Sequence, residues 1–440
     1  MRSKKSITSS FFLLFILILV VYFSLRTNSN ETFTDRLVLN QENKTKIGEN
    51  NKEKNIKASF VETFLKFPLN ETKVAFAENN PTKIDEFTTD MIKLLVEFDV
   101  KEPLVKINEE CLPPPLEEVN CGEYPGVFSG KRERPAKIAH LIQFGFDVDT
   151  LEIALHQYYD HVDFVFLLES IKTHYHQLNK PLVWEKVKHS ERFSKFKHKV
   201  VHFVVDEALI GKMKEEKKGD WFLEELQEEY RWKKFLQWNE ITKYFNDDDI
   251  IGFGDTDEIP SRKNLNLLKF CKLKVPRVDV GIWFPMGKVD QAFKPDWPVS
   301  WSHPYTLGDP TYYSLGAAKA FNENNKIPTR SRGRSGAFIL GGMHMSHDGY
   351  LPFQMLKRLS CTECGININD FEHWYDMLSK GKLHELEFEL AKEYPGNEKR
   401  IVPLSSLNDQ NRKAVSIPWF YECNKQRFPQ WERKHDTRLD

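Results

Sequence analysis

Residues 249–260 read DIIGFGDTDEIP. The first half is a short apolar run and reads as a buried strand over 249–254. Two carboxylates, Asp255 and Asp257, follow at i and i+2, with Glu258 and Pro260 just after. On a continuing strand both aspartates face one side, close enough to share a cation. Hard carboxylate oxygens suit Mn2+ or Mg2+, and such an ion keeps waters while also binding substrate phosphates. The pattern therefore points to a nucleotide diphosphate. Pro260 has no N–H to give a ladder, so the strand is expected to end before it. Asp247, Asp248 and Asp249 read as a solvated turn.

Working outward, residues 137–144 (KIAHLIQF), 163–168 (DFVFLL) and 199–205 (KVVHFVV) are further short apolar runs, each read as a buried strand. Residues 149–158 carry Leu151, Ile153, Leu155 and Tyr158 at helical spacing, with Asp149 or Thr150 as the cap. Residues 221–245 make a longer helical stripe through Phe222, Leu226, Trp232, Phe235 and Phe245. Strands alternating with helices predict an α/β fold with a mainly parallel sheet flanked by helices. Ligands in such sheets bind beyond the carboxyl ends of the strands, where Glu169, Asp206, Asp255 and Asp257 fall.

The chain has 440 residues, is 40% hydrophobic and 29% charged, and carries a formal charge of −1. This balance excludes wholesale disorder and leaves no excess positive charge for nucleic acid. The amino end is different. Residues 7–25 are about nineteen uncharged, mostly apolar residues between Arg2, Lys4, Lys5 and Arg26. That length reaches the ~17–25 residues of a transmembrane helix. The flanking charges keep residues 1–6 in the cytosol. A cleaved signal peptide is the alternative, but no A-x-A site follows. Residues 26–110 read as a flexible lumenal stem, in which the spacing of Phe87, Met91, Leu94 and Leu95 allows one short helix within 86–107. The three N-x-S/T sequons of the chain, at Asn30, Asn43 and Asn70, all lie in it. The folded domain is then 111–440. Six cysteines fit an oxidising lumen; Cys361-Thr-Glu-Cys364 and the others are read as structural disulfides, with fifteen pairings open.

These motifs carry a resemblance. Residues 249–260 resemble the DxD-bearing strand of glycosyltransferase family 17, which includes the β-1,4-mannosyl-glycoprotein 4-β-N-acetylglucosaminyltransferases that add the bisecting GlcNAc to N-glycans. Residues 136–140, DTLEIALH (149–156) and DFVFLLES (163–170) look like the family's first strand, first helix and second strand. Lys180-Pro-Leu matches a following basic-Pro-Leu segment, and GGMHMS (341–346) resembles an A-G-W-H-C-S block. Here Met343 and Met345 replace the family's Trp and Cys, and His347-Asp348-Gly349 departs from it. The resemblance covers about 133–375. It implies a GT-A-like fold, a UDP-sugar donor (UDP-GlcNAc), Mn2+, inversion at the anomeric carbon and a glycoprotein N-glycan acceptor. Anchor, stem and lumenal domain are the layout of a single-pass type II Golgi membrane enzyme.

Roles follow. Asp257 and Asp255 are the expected metal ligands, with His344 completing the set through a neutral imidazole. Asp255 and Glu169 are also candidates for nucleotide ribose or base, and capping is the competing role for Glu169. Glu258 is the preferred base for the acceptor hydroxyl, with Asp348 as the second candidate. Arg330, Arg332 and Arg334 either clamp the diphosphate or form a solvated basic loop. Trp297, Trp301 and Tyr305 either stack on sugar or pack in the core. A different donor or acceptor on the same fold, or a lumenal sugar-binding or nucleotide-sugar-binding protein without catalysis, are the alternatives to an N-acetylglucosaminyltransferase.

Overall fold

The computed structural model describes residues 59–115, 118–214, 221–323, 327–345, 349–361, 367–390 and 398–440. The four apolar runs are strands: β2 (Ile138–Gln143), β3 (Phe164–Ser170), β4 (Val200–Val205) and β5 (Ile250–Asp255). They run parallel in the order β4-β3-β2-β5, after a short β1 (Phe128–Lys131) outside this sheet. Alternate residues face opposite sides of the sheet. Ile138, Ile142 and Leu167 join one core with Leu151 and Leu155, while Leu141, Phe166 and Phe253 join another with Trp232 and Phe235. Both faces are covered, which is why these strands read as continuous apolar runs.

The helices that cover them are α4 (Val148–Tyr158) on one face and, after α6 (Glu207–Lys214), α7 (Phe222–Thr242) on the other. Every residue of α4 is buried. Its cap is Asp147, not Asp149 or Thr150: Asp147 is left-handed (φ 62°) and its carboxylate accepts from Thr150 N at 3.0 Å. Asp149 is instead enclosed by arginines. Arg192 and Arg438 each reach it at 2.6 Å, and Glu152 one turn later holds Arg192 at 2.8 Å and Arg427 at 2.9 Å. The carboxy-terminal segment is thereby locked against α4.

Beyond β5 the sheet is mixed. After β6 (Glu258–Pro260), α8 (Arg262–Phe270) and β7 (Cys271–Leu273), the chain continues with β8 (Arg277–Trp283), β9 (Gln291–Phe293), β10 (Pro298–Ser300) and β11 (His303–Ser314). Then come α9 (Leu315–Glu323), β12 (Phe338–His344) and α10 (Leu351–Ser360). The order continues β5-β11-β8-β12-β6, with β10 on β11. β12 is parallel to β8, whereas β11 and β6 are antiparallel to their neighbours. Pro260 ends β6 opposite Gly342. Helices α11 (Ile368–Ser379) and α12 (Leu383–Leu390) follow, before the carboxy-terminal segment.

Residues 59–110, expected to be part of a flexible stem, belong instead to the folded unit. Ser59–Asp440 forms one unit, and residues 60–99 hold three helices, α1 (Phe60–Phe64), α2 (Leu69–Ala77) and α3 (Pro81–Asp99). Met91, Ile92, Leu95, Val96 and Phe98 on α3 are buried, as are Phe60 and Phe64 on α1. Burying each such side chain is worth about 1.5–3 kcal/mol, enough to bind a segment whose other face is charged. Asn70 is exposed in the first turn of α2. The transmembrane reading of 7–25 and the sequons at Asn30 and Asn43 lie outside the described residues. Among the described residues, no helix is long and apolar enough to cross a membrane.

Two disulfides pair Cys111 with Cys423 and Cys121 with Cys271. Cys361 is also disulfide-bonded; Cys364 lies outside the described residues.

Candidate functional site

The carboxyl ends of β2, β3 and β5 open into a cleft of about 220 Å³, lined by Gln143, Ser170 and Asp255 from the strands. Thr256, Asp257 and, from α10, Lys357 complete that wall, while Lys172 and Lys180 line the side after β3. The chain does not continue as a strand through the two aspartates. It turns at Thr256 and Asp257, and Thr256 Oγ1 donates to Gln143 O at 2.7 Å. β6 then pairs with β12, so that Glu258 lies opposite His344. Met345 N donates to Asp257 O at 2.9 Å. His344 Nε2 stands 3.8 Å from Asp257 Oδ2. Sheet pairing thus joins the D-x-D turn and the G-G-M-H segment.

Carboxylates crowd this point. Burial and the neighbouring Asp255 raise the Asp257 pKa to about 6, against the pull of Lys357 and Arg330. Burial, then Asp309, pushes Glu258 well up. Burial also raises Asp309 to about 7. The arginine that answers them is Arg330. It is ion-paired with Asp255, with Glu258 at 3.1 Å, and with Glu224 and Glu228 from α7 at 3.3 and 3.1 Å. Its side chain is only 5% exposed, so it neither forms a solvated loop nor faces a diphosphate. Arg332 pairs with Glu224 and is half exposed, and Arg334 belongs to the same flank rather than to the cleft.

Three of the expected residues therefore come together: Asp255, Asp257 and His344. Asp255 Oδ1 is buried without a hydrogen-bond partner, while Oδ2 is held by Arg330. Two carboxylates and one imidazole are a donor set that Mn2+ accepts. Their ligand atoms do not all lie within 4.8 Å of one another; among the described residues only His384, Glu387 and His435 do. The residues fit a divalent ion that also takes oxygens from a ligand, rather than an all-protein cage.

Two expected residues take other places. Glu169 is fully buried. It accepts from Lys180 Nζ at 3.0 Å, from Val183 N, and from Trp184 N at 3.2 Å, at the start of α5 (Val183–Val187). It serves as a cap and salt-bridge partner, and its neighbour Ser170 reaches the cleft instead. The E-S and K-P-L segments are thus one device, since Lys180 also donates to Gly145 O at 3.1 Å on the cleft wall. Glu258 is 4% exposed and lies behind the turn. It accepts from Asp255 N at 2.9 Å and pairs with Arg330. It positions Asp255 and does not offer a free oxygen to an acceptor. Asp348 lies outside the described residues.

Met343 and Met345 are buried core residues, so these two departures in the His344 block change packing rather than the cleft wall. Trp297 and Trp301 are exposed, with no part in the core. Lys357 and Lys172 were not legible as site residues from their own surroundings, because cations without a motif look alike in a sequence.

Residues 127–279 match the model of glycosyltransferase family 17. This is the family that the motifs resemble. The matched segment runs from the start of β1 to β8 and holds Glu169, Asp255, Asp257 and Glu258; His344 lies beyond it. Glycosyl transfer is the activity that this match supports. A search of curated proteins found no match.

Proposed function

We propose that the protein is a metal-dependent inverting glycosyltransferase. It moves N-acetylglucosamine from UDP-GlcNAc to a mannose of N-linked glycans, in the β-1,4 linkage of a bisecting residue. Residues 7–25 anchor it as a type II Golgi membrane protein with the domain in the lumen, on a GT-A-like fold. The observation that carries the reading is the meeting of Asp255, Asp257 and His344 at the carboxyl ends of parallel strands, beside a cleft also lined by Lys172 and Lys357. Carboxylates and cations on one cleft suit a diphosphate that arrives with its own divalent ion.

Asp255 and Asp257 with His344 would hold Mn2+, which supplies Lewis-acid stabilisation of the departing diphosphate. The protein's own part is preorganisation. Arg330 and Glu258 fix Asp255, and the Thr256 hydroxyl fixes the turn against β2. Lys172 and Lys357 line the cleft and would offer positive charge to phosphate oxygens there. The acceptor hydroxyl needs a base within ~2.6–3.2 Å. The enclosure of Glu258 leaves Asp348 as the candidate.

That same enclosure favours a second reading, a lumenal protein that binds nucleotide-sugar without transferring it. UDP release from UDP-GlcNAc with Mn2+, measured with and without N-glycan acceptors, separates the two. Acceptor-stimulated release, abolished by EDTA and by Asp257→Ala, supports the transferase. Mn2+-dependent UDP binding without release across a panel of donors and acceptors supports the second.

A further inference from the structure

His384 and Glu387 sit at i and i+3 on α12 and so share one face of that helix. His435, from the carboxy-terminal segment, closes on the same point. Glu387 Oε2 lies 3.4 Å from His384 Nδ1 and 2.9 Å from His435 Nδ1, and the three ligand atoms all lie within 4.8 Å of one another. A tetrahedral ion with bonds of ~2.0–2.2 Å holds its ligands about 3.3–3.6 Å apart. Small side-chain adjustments would accommodate one.

The surroundings match those of a metal centre. His435 turns its other nitrogen, Nε2, to Asp440 Oδ1 at 3.0 Å. A carboxylate on the far nitrogen fixes the tautomer and raises the basicity of a ligating imidazole. Glu387 Oε1 accepts from Asp436 N at 3.3 Å, which leaves Oε2 for the two histidines. The Glu387 side chain is 11% exposed and His384 is 53% exposed, so the site has a closed base and an open mouth. One carboxylate oxygen can accept from both histidines, as it does here, and the same two nitrogens and one oxygen converge closely enough to exchange those hydrogen bonds for one shared ion.

We propose that His384, Glu387 and His435 form a zinc site distinct from the D-x-D centre, with water as the fourth ligand. Two imidazoles and one carboxylate are a set that Zn2+ takes readily. Its role is structural. It pins residues 435–440 to α12, and Arg438 of that segment holds Asp149 on α4, two residues from Asp147 in the cleft wall.

The test uses the purified full chain, stripped with a chelator and titrated with Zn2+ alone. The expected result is one tightly bound equivalent in the wild type and in Asp257→Ala. His384→Ala and His435→Ala should each lower that affinity at least 100-fold. His384 is half exposed, so His384→Ala keeps the melting temperature of the chelated wild type but loses the rise that Zn2+ produces. At a Zn2+ concentration of a thousand times Kd that rise reflects about a thousand-fold gain in the folded-to-unfolded ratio. No tight Zn2+ in the wild type overturns the proposal. So does Zn2+ that is lost in Asp257→Ala and kept in the histidine variants, or kept equally in all of them.

Discussion

His344 Nε2 lies 3.8 Å from Asp257 Oδ2 because β12 and β6 pair with His344 opposite Glu258. The two residues come from separate segments, and only the mixed half of the sheet brings them together. His344→Ala removes one donor and leaves the carboxylates. The Mn2+ concentration for half-maximal activity should rise about 10–100-fold, on the scale seen when metal-site support is lost. The side chain is 13% exposed and packs on Phe284, so the melting temperature of the metal-free variant should fall modestly. A Mn2+ titration of activity checks the first, and a metal-free melting curve the second.

Asp257 gives a pH dependence whose sign follows from its raised pKa. Folded, it holds its proton up to about 6; its ordinary value is 3.8. Between those values the folded state binds more protons than the unfolded state. Stability therefore falls as pH rises through about 4–6, and above that window the cost is complete. Asp257→Asn removes the charge and should stabilise the metal-free protein at pH 7 by about 1–3 kcal/mol while abolishing Mn2+-dependent activity. In the wild type, protons compete with the ion for this carboxylate, so the Mn2+ concentration needed for half-maximal activity should rise as pH falls below about 6. Metal-free melting curves and a pH profile test the two halves separately.

Arg330 is the charge that permits four carboxylates in one place. Arg330→Met leaves Asp255, Glu258, Glu224 and Glu228 without it, and should cost about 3–5 kcal/mol. Arg330→Lys should recover part of that, since a single ammonium cannot reproduce the guanidinium's several directed bonds. Denaturant unfolding of the two variants gives the comparison.

Glu258 and Asp348 should separate by kinetics. Asp348→Asn should lower kcat at least 100-fold with UDP binding unchanged, as loss of a general base does. Glu258→Gln should disturb Asp255 and so raise the Mn2+ requirement. The reverse pattern would return the base to Glu258.

The parallel half of the fold was legible because β2, β3 and β5 are buried on both faces, and the edge strand β4, though only half-buried, is also a continuous apolar run. Residues 137–144, 163–168, 199–205 and 249–254 need no tertiary knowledge to read as core. The D-x-D motif was legible as lying at a strand end, but not as a turn: nothing local in Asp255-Thr-Asp257 says that Thr256 bonds back to β2. Of the three amino-terminal helices, α3 was legible in part through the spacing of Phe87, Met91, Leu94 and Leu95, while α1 and α2 were hidden by their short length and charged faces. Asp147 was missed as a cap because its left-handed conformation is set by the β2–α4 junction. Arg330 was read as solvated or phosphate-facing because its four partners lie on two distant segments. Glu169 was placed at the right strand end, but its role depends on Lys180 and the start of α5.

The central claim is that Asp255 and Asp257 hold a divalent ion together with a nucleotide diphosphate. Calorimetry of UDP binding to the wild type and to Asp257→Ala, each with Mn2+ and with EDTA, tests it most directly. The account predicts UDP binding to the wild type only with Mn2+, and at least a 100-fold loss in Asp257→Ala. UDP binding of equal strength in EDTA, or in Asp257→Ala with Mn2+, would contradict it.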